Sequence, residues 1–129
     1  MVYTEELPYV VERCDEDMWI VEVHDGITID SVKRLIGDLT AAAVKYRLWI
    51  IPAPINLSLD HVQGLSMFAN SQNFRSQVSA VVCPHDLTFG IGRMFESFAE
   101  ADGRRVRVFR EVEDAKSWLR SVREWDNGA

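Results

Sequence analysis

After one opening hairpin, short β-rich runs alternate with amphipathic helical runs to the end of the chain. That alternation leaves few folds open, because each helix must cross over between parallel strands. Tyr9 to Arg13 and Met18 to His24 (MWIVEVH) form the hairpin, with Asp15-Glu16-Asp17 as a solvated polar turn. Asp25-Gly26 ends the second run. Thr28 is a good helix N-cap, and Asp30 faces the positive end of the helix dipole. Val32, Leu35, Ile36, Leu39, Ala43 and Tyr46 then recur at helical spacing. Leu48 to Ile51 is fully apolar, as in a strand buried on both faces, and Pro52 and Pro54 stop it.

Ser58 is the next N-cap, ahead of Leu59, Val62, Leu65 and Ala69. Gly64 and Ser66 interrupt that helix, so its periodicity is the poorest of the chain. Asn70 to Gln77 is a polar loop, and Val78 to Cys83 is a buried strand ended by Pro84. Asp86 or Thr88 caps a third helix, with Leu87, Ile91, Met94, Phe95 and Phe98 on one face, and Asp102-Gly103 ends it. Arg105 to Phe109 alternates like a half-exposed strand. Glu111 opens a last helix that buries Ala115, Trp118, Leu119 and Val122, and Asp126 to Ala129 should fray.

The order β-β-α-β-α-β-α-β-α specifies an α/β domain with a mixed, mainly parallel sheet. If each strand is added beside the last, the helices pack on one sheet face and leave the other partly open. Residues 1–129 suit one domain with one core. The cysteines, Cys14 and Cys83, form no C-x-x-C pair and read as buried thiols of a reducing compartment. Met1 to Val10 lacks the layout of a secretory signal, and no apolar run approaches the ~20 residues of a membrane span. A cytoplasmic protein is the expectation.

Net charge is −6, which argues against general nucleic-acid binding and adsorption to anionic membranes. The charge is uneven. Through Asp38 there are 10 acidic and 3 basic residues; from Leu39 on there are 10 and 11. One local anionic ligand, or an acidic partner surface, is therefore still compatible with the arginine-bearing last strand. Arg104, Arg105, Arg107 and Arg110 form a basic run on or beside it, with Arg105, Arg107 and Arg110 as the candidate patch; alternatively they protect a sheet edge.

Each of the three histidines has an aspartate neighbour: His24-Asp25, Asp60-His61 and His85-Asp86. All fall at the carboxyl edge of the parallel strands, where α/β folds bind ligands. Together they are candidates for a divalent metal or for acid–base chemistry. Ordinary turn and cap roles weigh more, since no H-x-x-x-H spacing is present. Cys83 packs more readily as a small apolar residue than as a nucleophile with His85. Gly90 and Gly92 lack the remaining glycine of a dinucleotide fingerprint and suit close helix–sheet packing.

Val78 to Cys83, His85 to Glu100 (HDLTFGIGRMFESFAE) and Arg105 to Leu119 (RVRVFREVEDAKSWL) together resemble small STAS-like proteins of the SpoIIAA-like superfamily. Phe109, Glu113, Ala115, Trp118 and Leu119 carry the resemblance most specifically. It implies a non-enzymatic regulatory or binding role, with no cofactor. It places Ser58 near the phosphorylated serine of true antagonists, but their Asp-Ser-Ser-Gly-like setting is absent, and Ser58 suits a helix cap. Relatives of the fold resemble Sec14-type lipid-binding domains. Met67, Phe68, Phe74 and Phe89 are therefore candidates for an apolar pocket or interface. A protein partner or a small ligand, with lipid among the candidates, is expected, and a homodimer through the sheet is a further expectation. The alternative is a metal protein or enzyme using the His/Asp set.

Overall fold

The computed structural model describes residues 8–24, 26–52, 54–55, 57–72 and 77–128. Asp25 and Phe74 of the candidate sets lie outside them. The elements are β1 (Tyr9–Asp15), β2 (Met18–Val23), α1 (Ile29–Ala41), β3 (Tyr46–Ile50), α2 (Leu59–Ser71), β4 (Val78–Val82), α3 (Asp86–Ala101), β5 (Arg105–Phe109) and α4 (Val112–Asp126). The strands lie in sequence order in one sheet. β1 is antiparallel to β2, and β2 to β5 are parallel. No helix among the described residues is long and apolar enough to cross a membrane.

Strand alternation splits the core in two. Tyr46, Leu48, Val78, Ala80 and Val82 face α4, where they meet Ala115, Leu119, Trp118 and Val122. Val21 and Val23, on the opposite face, meet Leu35 and Leu39 of α1. α2 and α3 lie on α1's side, enclosing Trp49, Ser79, Val81 and Val106. So the three crossover helices share one face, as sequential strand order requires. Packing of all helices on one face does not hold: α4 is no crossover, and it covers the side expected to be half open. Phe109 of β5 packs with Ala115, Trp118 and Leu119 of α4 in one cluster, and the Phe109 and Trp118 rings sit 5.8 Å apart.

Two further expectations are corrected. Ala43 and Tyr46 continue the helical spacing, yet α1 stops at Ala41 and Tyr46 opens β3. The stop is a Schellman motif: Ala43 N–H donates to the Thr40 carbonyl, and Val44 N–H donates to the Leu39 carbonyl, both at 3.0 Å. The left-handed residue is Ala43, at φ 56°, where glycine is usual. Replacing it should relieve strain. Ala43→Gly is expected to stabilise the fold by about 0.5–1 kcal/mol, the left-handed penalty less the glycine entropy cost. Urea denaturation checks this.

The acidic turn is not merely solvated. Arg123 Nη1 reaches Asp15 Oδ2 at 2.8 Å and Asp17 Oδ1 at 3.5 Å, tying the hairpin to α4. Of the cysteines, Cys83 is buried but Cys14 is exposed, which corrects the expectation of two buried thiols.

Candidate functional site

The parallel register lays out the α1–α3 face of the sheet row by row. Trp19 pairs with Arg47, Arg47 with Ser79, and Ser79 with Val106. One step toward the carboxyl edge, Val21, Trp49, Val81 and Val108 form an apolar row. One step toward the amino edge stand Gln77 and Arg104, immediately before β4 and β5. This face is therefore polar at its amino end and apolar beyond.

α2 does not close down on it. Its backbone rests mainly against α1 and α3. α3, by contrast, presses on β5 at Gly92. A cavity of about 140 Å³ lies between. Val32 and Ile36 of α1, Val62, Leu65 and Ala69 of α2, and Ile91 and Phe95 of α3 form its roof. Trp49, Ile51, Val81 and Cys83 form the floor, and Arg47, Gln77, Ser79 and Arg104 the polar end. No acidic residue lines it among the described residues. At the other end the buried Thr88 hydroxyl accepts from Ile55 N–H at 3.1 Å, tying the β3–α2 connection to α3.

Two guanidinium groups are buried on this wall. Arg47 is 1% exposed; its Nε donates to the Val44 carbonyl at 2.9 Å and its Nη2 to Thr40 Oγ1 at 3.3 Å. Burial pulls its pKa down to about 10, so it is still a cation at neutral pH. Arg104 is 7% exposed and is placed by a second Schellman motif, at the end of α3. There Gly103, at φ 74°, takes the left-handed position, and Arg104 N–H donates to the Ala99 carbonyl at 2.8 Å. Arg104 Nη2 donates to Ser66 Oγ at 2.6 Å and to the Ser66 carbonyl at 3.2 Å. Its guanidinium lies 5.5 Å from the Phe95 ring. Arg104 Nε is buried with no hydrogen-bond partner. Its nearest ion-pair partner, Asp102 at 4.0 Å, is 38% exposed and so well screened. Burial accordingly lowers the Arg104 pKa, with Asp102 opposing. A buried donor left unpaired costs about 1–3 kcal/mol.

The sequence candidates fall elsewhere. Among the described residues no three His, Cys, Asp or Glu side chains are grouped so as to hold a metal ion. His61 is engaged in a capping box: its N–H donates to Ser58 Oγ at 3.2 Å, and its Nδ1 accepts from Ser58 N–H at 3.4 Å. Ser58 is thus the α2 cap that the sequence suggests. His85 is the N-cap residue of α3 and makes no side-chain cap bond; neither Asp86 nor Thr88 is the cap. His24 follows β2 and lies 3.8 Å from Glu22, while Asp60 sits in the first turn of α2. Asp86 pairs with Arg110 at 2.6 Å, and that contact holds its carboxyl below the usual range. The Cys83 thiol is pushed up to about 11 by burial, which leaves it protonated and apolar.

Two of the three arginines of the patch are engaged by carboxylates. Arg105 forms a two-bond contact with Asp126, at 2.8 and 3.1 Å. Arg110 has Asp86 and lies over the Phe89 ring at 4.2 Å. Arg107 is exposed, 5.4 Å from the Phe109 ring. The described members of the apolar set, named for a pocket or an interface, lie outside this cavity. Met67 is 72% exposed on α2, Phe68 lies under Lys33, and Phe89 lies under Arg110; none of the three lines the cavity. The missed residues, Arg47 and Ser79, carry one signal: they are polar positions on strands whose apolar neighbours demand burial. Arg104, part of the basic run before β5, is turned into the cavity lining and not onto the sheet edge.

The chain matches no protein-family model and no curated protein.

Proposed function

We propose that this chain is a non-enzymatic binding domain that takes a small, largely apolar molecule into the cavity beneath α2. One observation carries the reading: an apolar space of about 140 Å³ with Arg47, Gln77, Ser79 and Arg104 gathered at one end and only the Thr88 hydroxyl, already bonded to Ile55 N–H, at the other. Binding sites share that make-up, a mostly apolar lining with a few placed polar groups. The STAS-like resemblance supports a binding or regulatory role. The volume sets the ligand class. A dry cavity of ~150 Å³ holds benzene, whereas drug-sized ligands need ~300 Å³ or more. The occupant is therefore about the size of one ring, and a two-chain lipid is too large.

Toluene serves as the probe, added to the full chain and followed by thermal shift and by methyl resonances of Val62, Leu65 and Val81. The expected result is a rise in melting temperature with shifts confined to those methyls. Ala69→Leu, which fills the space from α2, should abolish both responses while leaving the fold intact. Shifts spread over the surface, or none, would show that the space is only a packing defect.

A further inference from the structure

We infer that the ligand carries a carboxylate, held at the amino end of the cavity by Arg104. The inference rests on the binding reading above and names the chemistry of the same site. Arg104 is almost wholly buried, lines the cavity and has an Nε–H donor without a partner. Its Nη2 is already committed to Ser66, which fixes the guanidinium plane. Arg47 is a second buried guanidinium at the same end, and no lining residue among the described residues is acidic. A desolvated guanidinium with an unsatisfied Nε–H beside an apolar space favours an anion, because buried charges are normally paired. The single open donor edge suits a flat carboxylate oxygen. Gln77 and Ser79 offer further polar atoms at that end. Apart from the Thr88 hydroxyl, which already accepts from Ile55 N–H, the remaining walls are apolar, so the rest of the molecule is hydrocarbon. A cyclic or branched monocarboxylate of one-ring size meets both demands.

Benzoate and toluene separate the carboxylate from the hydrocarbon. Affinities for both are measured on the full chain by calorimetry or resonance shifts. The wild type should bind benzoate at least 10-fold more tightly than toluene. Arg104→Met keeps the side-chain length and should bind toluene as before while losing the benzoate preference; Arg104→Lys should keep part of it. In the wild type, benzoate but not toluene should move the Arg104 Nε–Hε resonance, which reads the contact even if the Met variant does not fold. Equal binding of both probes would overturn the carboxylate and leave the cavity reading standing. Binding of neither would overturn both.

Discussion

Gly92→Ala should destabilise the protein, whereas Gly90→Ala, two residues away on the same helix, should stabilise it. A Cβ at Gly92 would stand 2.6 Å from Val108 Cγ2 and 3.4 Å from Cys83 Sγ. Val108 is buried and β-branched, so its methyl has little room to turn away. Its backbone is held as well, since Val108 N–H donates to Glu96 Oε2 at 2.7 Å. Forcing α3 off β5 should cost about 1–3 kcal/mol, more than the ~1 kcal/mol that alanine gains over glycine in a helix. At Gly90 a Cβ meets nothing within 4 Å, so only the helix gain of about 0.5–1 kcal/mol remains. Gly92→Leu should cost above about 3 kcal/mol. Paired urea denaturation decides the matter. The Val108→Ala background should remove most of the Gly92→Ala penalty. Equal effects at the two glycines would refute the close approach, and with it the account of why α3 sits low while α2 stands off.

The same contrast explains what the sequence shows and what it hides. Element order, strand pairing and the α4 face follow from periodicity and turn residues, because Val, Leu and Trp at fixed spacing have one way to be buried. Gly103 marks the end of α3 openly. Ala43 does the same job for α1 without a glycine, so the helical spacing runs on into Tyr46. On α3 the buried positions include Thr88 and Ala99, while Leu87 is more than half exposed; ranking by apolar size picks the wrong residue. The cavity is less legible still. It depends on how high α2 rides over the sheet, which is a tertiary distance. Arg47 and Arg104 are typed as surface residues by composition, and only the folded sheet shows that both are buried beside one cavity.

Replacing Asp126 should cost more than a residue at a fraying terminus can. The sequence assigns it to a loose tail, yet it joins three elements. Tyr46 Oη donates to Oδ2 at 2.8 Å, Arg105 bonds both oxygens, and Lys45 Nζ lies 3.3 Å away. The carboxylate sits at the negative end of the α4 dipole, which alone disfavours it. The cations reverse that. Hydrogen bonding from Arg105, then from Tyr46 and Lys45, holds its carboxyl far below the ordinary 3.8. Asp126→Ala also strips the acceptor from Tyr46, whose side chain is fully buried, so a loss of about 2–3 kcal/mol is expected. Tyr46→Phe removes one donor only and should cost about 1 kcal/mol. The pH dependence has a definite sign. A carboxyl whose folded pKa is depressed contributes its stability above its unfolded value and loses it as pH falls toward the folded value. The gap between wild type and Asp126→Ala should thus be full at pH 7 and shrink below about pH 4. Asp15, depressed by its bond from Arg123, acts in the same direction, while Asp17, raised mainly by burial, opposes it. Both are present in wild type and variant, so they cancel in the difference. Urea denaturation of the two proteins between pH 7 and pH 3 measures it. A gap that stays constant across that range would show that Asp126 acts through packing alone and not as a charge.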